Sequence, residues 1–341
     1  MKDKKPVAEL LLTQRRPKNF FTHTRSISRG LEFASSLRSG AMKRIMAAAL
    51  PACLWATVPA CSPLSIAVRD QNPWTHLDIK YRQENFHFII VTDRTGGPRN
   101  GVFRDAMEQI NLLQPAFVMS VGDLIEGGSD DPAKLNDEWV EFSQMVRSLH
   151  MPFFYTPGNH DIYNNLSIDV WQNRFGRSYY HFTYHDVLFI ILNTEDPPSD
   201  QLGHSNGWIG KAQLAWLNTL LKHGDERWTF LFMHKPLWLA ATDQHGEESN
   251  WSDVEAVLGD RNRITIFAGH HHAYSKTTRN GRALYRLATT GGGSNLTGPA
   301  DGLFDHVVWV TMTDTGPIIA NLMLDGIWTD DPVVEAERRA R

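Results

Sequence analysis

Apolar positions along the chain fall into two rhythms that take turns. Residues 86–92 form a continuous apolar run rich in Phe, Ile and Val, which predicts a buried strand. Val102, Phe103, Ala106, Ile110 and Leu113 follow at helical spacing, and Pro115 ends that helix. Residues 116–121 predict the next strand. Leu135, Trp139, Phe142, Val146 and Leu149 then step by 4, 3, 4 and 3, so a second helix follows and stops before Pro152. Residues 152–156 predict a third strand.

The pattern continues in the second half. Residues 179–182 and 187–192 pair as a hairpin across His185-Asp186. A helix is predicted over 213–221, with Leu214, Leu217 and Leu221 on one stripe. Short strands are predicted at 228–233, 263–268, 283–287, 306–311 and 318–323. Strands alternating with helices predict an α/β body over residues 76–328. Pro63, Asn72 and Pro73 mark 62–75 as a linker, and the charged, apolar-poor segment 329–341 is expected to fray.

The polar residues with chemical capacity sit at strand ends. Asp93 follows the first strand and Gly122-Asp123 the second. Pro157-Gly158-Asn159-His160-Asp161 follows the third, His234 caps the strand at 228–233, and Gly269-His270-His271-His272 follows the strand at 263–268. In open α/β sheets, ligands bind at the carboxyl ends of strands. Carboxylate, amide oxygen and imidazole suit divalent cations such as Mn²⁺, Fe²⁺/³⁺ or Zn²⁺. Cys53 and Cys61 both precede the body, so no thiolate metal site is available inside it. The glycines before Asp123, Asn159 and His270 let the backbone turn sharply and approach the site closely.

Charge divides the chain. Residues 1–44 carry 11 Lys and Arg against 3 Asp and Glu, and the remainder carries 23 against 35. The body is acidic and is not expected to bind nucleic acid. Met42-Lys43-Arg44, the apolar stretch 45–58 and Val58-Pro59-Ala60-Cys61 read as a bacterial export signal over 42–61. Two versions fit: a plain cleavable signal, or a lipoprotein signal whose lipidated Cys61 attaches the protein to a membrane. The corresponding location is the periplasm or a membrane-anchored lipoprotein. The basic extension 1–41 fits a start codon assigned too early, with Met42 the true start, or a basic tail for nucleic acid or membrane.

The ordered series Asp93, Gly122-Asp123, Gly158-Asn159-His160-Asp161, His234 and Gly269-His270-His271-His272 resembles the calcineurin-like metallophosphoesterases over residues 86–272. Gln213-Leu214-Ala215-Trp216-Leu217, Tyr274 and Gly291-Gly292-Gly293 share that likeness. The resemblance implies a four-layer αββα sandwich, two mixed sheets flanked by helices. It implies two divalent metal ions, with Asp123 bridging them, Asp93 and His272 on the first, and Asn159, His234 and His270 on the second. It also implies hydrolysis of a small phosphomonoester or phosphodiester by a metal-bridging hydroxide, with His160 assisting the leaving group and Glu126 orienting His160. A solvated loop carboxylate is the alternative for Glu126, and a structural loop histidine the alternative for His160.

The sequence departs from the family pattern at its first motif. Asp-x-His is usual, and Asp93-Arg94-Thr95 stands here. A hydroxyl is a poor ligand for a divalent transition metal, so the first site is expected to be weak. A degenerate module that binds one metal or phosphate without efficient turnover is the competing function. An amidohydrolase would need an early His-x-His, which is absent. Gly127 stands where the superfamily's protein phosphatases carry an arginine, against that substrate class. Arg94 and Arg99 either touch substrate phosphate or form surface salt bridges. His204 either reaches the site or is a solvated loop histidine. His271 is expected to point away. Trp208, Trp238 and Trp251 either stack on substrate or pack in the core and its rim.

Overall fold

The computed structural model describes residues 63–196, 207–222, 224–240, 249–324, 326–329 and 331–339. The basic extension, the export segment with Cys61, and His204 lie outside the described residues. In chain order the elements are β1 (Leu64–Ile66), β2 (Phe86–Val91), α1 (Val102–Leu113), β3 (Val118–Ser120), α2 (Pro132–Val146), β4 (Phe153–Phe154), α3 (Asn165–Phe175), β5 (Tyr180–Tyr184) and β6 (Val187–Ile191). There follow α4 (Lys211–Leu221), β7 (Trp228–Phe232), α5 (Leu237–Ala240), α6 (Trp251–Leu258), β8 (Ile264–Ala268), β9 (Ser275–Arg279), β10 (Arg282–Arg286), β11 (His306–Thr313), β12 (Gly316–Met323), β13 (Gly326–Thr329) and α7 (Pro332–Arg339).

The strands form two sheets, ordered β1-β5-β6-β7-β8-β10-β9 and β13-β12-β11-β2-β3-β4. Both are mixed. β2, β3 and β4 run parallel in one, as do β6, β7, β8 and β10 in the other, and the remaining neighbours are antiparallel. Successive side chains on a strand face opposite ways, and this period of two sorts each apolar run into two cores. On β2, Phe86, Phe88 and Ile90 enter the core between the sheets, while Ile89 and Val91 face the core that contains residues of α1, α2 and α3. On β6, Phe189 and Ile191 enter the inter-sheet core, and Leu188 and Ile190 face that of α4 and α6. The result is the four-layer αββα sandwich.

Aromatic side chains fill the inter-sheet layer. Phe88 meets Phe189 and Phe230 edge-on across the two sheets, with centroids 5.2 and 5.0 Å apart. Such pairs add about 0.5–1.5 kcal/mol each beyond the area they bury. The β5–β6 hairpin turns on His185 and Asp186, both with positive φ (47° and 58°), the conformation a tight two-residue turn demands.

Several expectations need correction. Residues 64–66 lie in the span read as a linker, yet pair with β5 through Leu64–Tyr184 and Ile66–Phe182, extending the sheet. Trp74 from the same span is buried against Phe154 and Tyr180. The tail read as frayed forms α7, whose start is capped: Asp331 accepts the Val334 N–H and Pro332 opens the helix. Trp238 and Trp251 are buried edge-to-face against each other, 5.8 Å between centroids, which settles them as core packing.

Candidate metal centre

The parallel strands β2, β3, β4, β7 and β8 end at one edge of the sandwich, and the predicted polar residues follow them. Asp93 comes two residues after β2 and is fully buried. Its Oδ1 accepts the His270 N–H at 2.8 Å and lies 3.5 Å from His272 Nε2. Asp123 follows β3. One of its oxygens accepts the His160 N–H at 3.0 Å. The other lies 3.2 Å from His234 Nε2 and 3.9 Å from His160 Nε2.

Three of these residues hold left-handed backbone: Asp123 at φ 57°, His270 at 75° and His272 at 52°. Asp and His tolerate this region better than most side chains, and such strain gathers at functional sites. Two glycines make room for the cluster. A Cβ on Gly158 would sit 2.3 Å from Asp123 Oδ1, and one on Gly269 would sit 2.2 Å from Asp93 Oδ2.

Backbone carbonyls aim the imidazoles. His234 Nδ1 donates to Val121 O at 2.9 Å, His272 Nδ1 to Gly293 O at 2.6 Å, and His160 Nδ1 to Glu126 O at 2.6 Å. Each Nε2 is thereby turned inward. His234 Nε2 then faces Asn159 Oδ1 at 3.0 Å, His270 Nδ1 at 3.2 Å and the Asp123 carboxylate. Such a convergence of nitrogen and oxygen atoms is able to hold a cation. The groups Asp123, His234, His270 and Asp93, Asp123, His272 each bring their ligand atoms within 4.8 Å of one another, and Asp123 belongs to both.

The electrostatics follow from this crowding. Burial would push the His234 pKa down, but the Asp123 carboxylate outweighs it and raises the ring to about 9. Burial likewise opposes ionisation of Asp123, and the charges of His234 and His160 overcome it, holding the carboxyl well below the usual range. His270 goes the other way: burial and the positive neighbours His234 and Lys235 depress it far below 6.5, favouring the neutral ring.

The structure brings Asp93, Asp123, Asn159, His160, His234, His270 and His272 together. It does not bring in the arginines. Arg94 donates to Leu124 O and pairs with Glu141 at 2.8 Å, and Arg99 forks onto Asp305 and donates to Gly292 O. Both guanidiniums therefore brace loops, which is the salt-bridge alternative of the two readings, and neither is turned to the cluster as a phosphate contact. Glu126 is placed beside His160, but it is the backbone carbonyl that orients the ring. Its carboxylate takes the Thr95 hydroxyl and the Gly96 N–H instead. Thr95, fully buried, is thus committed to Glu126. His271 is exposed.

Two features were not foreseen. Asp161 accepts N–H groups from Leu124, Ile125 and Gly158 at 2.9, 3.1 and 2.9 Å, tying the β3 and β4 loops together. Its place in the Asn159-His160-Asp161 run was the available signal. Lys235, next to His234, forms a buried ion pair with Glu195 at 2.9 Å. No spacing rule links these two, which come from different strand ends.

Residues 78–274 match the family model for calcineurin-like phosphoesterase. A probable glycerophosphodiester phosphodiesterase of Arcobacter nitrofigilis is 27% identical over 184 residues, covering 50% of this chain and 62% of that protein. A glycerophosphodiester phosphodiesterase of Enterobacter lignolyticus is 25% identical, covering 62% of this chain and 72% of that protein. This chain thus spans less than two thirds of the length of the first relative. A dimetal phosphatase from Danio rerio shares the fold with a TM-score of 0.55 at 17% identity, over 69% of this chain and 98% of that one. With the family model covering more than half of its length, the chain belongs to the calcineurin-like phosphoesterase family.

Proposed function

We propose that this chain is a metal-dependent hydrolase of phosphomonoesters or phosphodiesters. The observation that carries the reading is the single Asp123 carboxylate shared by two clusters of inward-facing donors. Asn159, His234 and His270 would hold one divalent cation with Asp123, and Asp93 and His272 the other. When bound, the two cations would supply an acidified water and positive charge opposite the phosphoryl oxygens. The names of two relatives favour testing a diester first.

The protein's own groups do the rest. His160 is fixed at both ends, its N–H on Asp123 and its Nδ1 on Glu126 O, so Nε2 stays beside the shared carboxylate. From there it can deliver a proton to the departing alcohol oxygen. Asp161 keeps the two loops that carry Asp123 and His160 in register. Export, with or without lipidation of Cys61, belongs to the same proposal and rests on the sequence pattern of residues 42–61.

One observation favours a second reading. Thr95 gives its hydroxyl to Glu126, which leaves the Asp93–His272 half-site with fewer donors than its neighbour. A protein that holds one cation or phosphate without efficient turnover would follow. The test is an assay of the full chain on 4-nitrophenyl phosphate and bis(4-nitrophenyl) phosphate, after chelation and again with added Mn²⁺. Hydrolysis restored by Mn²⁺ supports the hydrolase. No hydrolysis with any divalent cation, alongside one metal per chain, supports the binding module.

A further inference from the structure

A cleft of about 460 Å³ opens between α1, the segment 296–305 and the end of β12. Val102, Leu296, Leu303, Phe304 and Met323 give it mainly apolar walls. A separate depression contains His270, His272, Gly293, Ser294 and Asn295. Leu303 lines both, and the loop passes from one to the other between Asn295 and Leu296. The cleft therefore adjoins the depression that holds His270 and His272, with Leu303 between them.

The dividing wall is anchored. Gly293 O accepts His272 Nδ1 at 2.6 Å, and Gly298 and Leu303 exchange backbone hydrogen bonds at 2.9 and 3.1 Å. Between these anchors Leu296 is held at φ 50°, a region that bulky side chains rarely enter, with 45% of its surface exposed. A bulky side chain held in this region while almost half exposed is the kind of outlier that gathers at ligand sites.

We propose that the cleft is a subsite for a neutral hydrocarbon arm of the phosphoester substrate, the arm crossing Leu303 to lie against Leu296 and Phe304. The inference rests on the hydrolase reading given above. The volume lies within the range of small-ligand sites. The charge of the rim selects the occupant. Asp105 and Asp305 are the ionisable groups lining the cleft, and Asp305 is already neutralised by Arg99. An anionic arm, such as a second phosphate, would meet carboxylate and, among the described lining residues, no cation. An apolar arm meets leucine, phenylalanine and methionine.

The experiment compares binding of methylphosphonate and hexylphosphonate to the Mn²⁺-loaded full chain by calorimetry. Hexylphosphonate is expected to bind at least about tenfold more tightly, because its extra methylenes leave water for the cleft. Leu296→Ser, an exposed position that does not threaten the fold, is expected to cut that preference at least about threefold, and Leu303→Ser to do the same. Equal affinities, failure of both compounds to bind, or a preference that survives both substitutions would overturn the proposal. Hydrolysis of bis(4-nitrophenyl) phosphate by the same sample reports separately on the parent reading. A hexyl preference without hydrolysis keeps the cleft and removes the esterase, and hydrolysis without preference does the reverse.

Discussion

Thr95 donates its hydroxyl to the carboxylate of Glu126, and the backbone carbonyl of that same Glu126 accepts Nδ1–H of His160. One residue thus joins the weak point of the first half-site to the histidine proposed as proton donor.

Thr95→His is expected to tighten binding of the more weakly held cation by on the order of tenfold or more, since imidazole replaces a hydroxyl that ligates poorly. Because Thr95 is fully buried, the larger ring must displace the Glu126 carboxylate, so the effect should grow when Glu126→Ala, which clears that space, is added. Calorimetric titration of Mn²⁺ into chelated protein checks this. Unchanged affinity at both sites would remove the idea of a ligand-poor half-site.

His160→Ala is expected to lower turnover about 10²–10⁴-fold, the range for loss of a general acid. Metal content should stay intact, because the ring touches the cluster only at 3.9 Å from Asp123. Measuring kcat together with bound metal separates the two roles. A variant that loses its metal as well would make His160 a ligand.

Glu195→Gln removes the negative charge that lies 2.9 Å from the Lys235 ammonium, itself only 3% exposed. Breaking one side of a buried ion pair costs about 3–5 kcal/mol. The urea midpoint should fall accordingly. Since Lys235 follows His234 directly, metal affinity is expected to weaken with it. A midpoint within error of the parent would show that the pair contributes little.

The His306 imidazole is buried between sheet and loop, with Nδ1–H donated to Asn321 and Nε2 accepting the Ala288 N–H. Burial lowers its pKa from 6.5 to about 4. The neutral ring is thus the folded form, and its contribution is complete above pH 6.5. As pH falls from 6.5 toward 4, the unfolded chain takes up a proton that the folded chain refuses, and roughly 3 kcal/mol is lost. The His306→Gln variant should lack this slope in a pH series of unfolding midpoints. A parent protein whose stability is flat from pH 6.5 to 4.5 would contradict the assignment.

Much of the fold was legible because the apolar runs are buried on both faces. The strands β2, β6, β7 and β8 are nearly continuous in Phe, Ile, Leu and Val, and no surface competes for them. The elements that escaped notice are those whose pattern is diluted. β9 reads Ser-Lys-Thr-Thr-Arg, a polar edge strand, and polarity is how edges avoid mispairing. The buried stripe of α3 begins with Ser167, so its helical spacing is masked, although the Asn164–Ser167 capping box was a usable sign. In the site, residue identities were readable and orientations were not. Val121 O, Gly293 O and Glu126 O aim three imidazoles, and backbone carbonyls are the same at every position of a sequence. Arg94 and Arg99 stayed undecided between phosphate and salt bridge because charge is visible in sequence while its partner, Glu141 or Asp305, is distant along the chain.

The central claim is that one carboxylate joins two cation sites of unequal donor number. Metal-to-protein ratios of the full chain and three variants test it most directly. The account predicts two Mn²⁺ per chain at saturation, one each in His234→Ala and His272→Ala, and none in Asp123→Asn, with hydrolysis of bis(4-nitrophenyl) phosphate lost in step. Two tightly bound ions in Asp123→Asn, or hydrolysis by the parent that persists after exhaustive chelation, would contradict it.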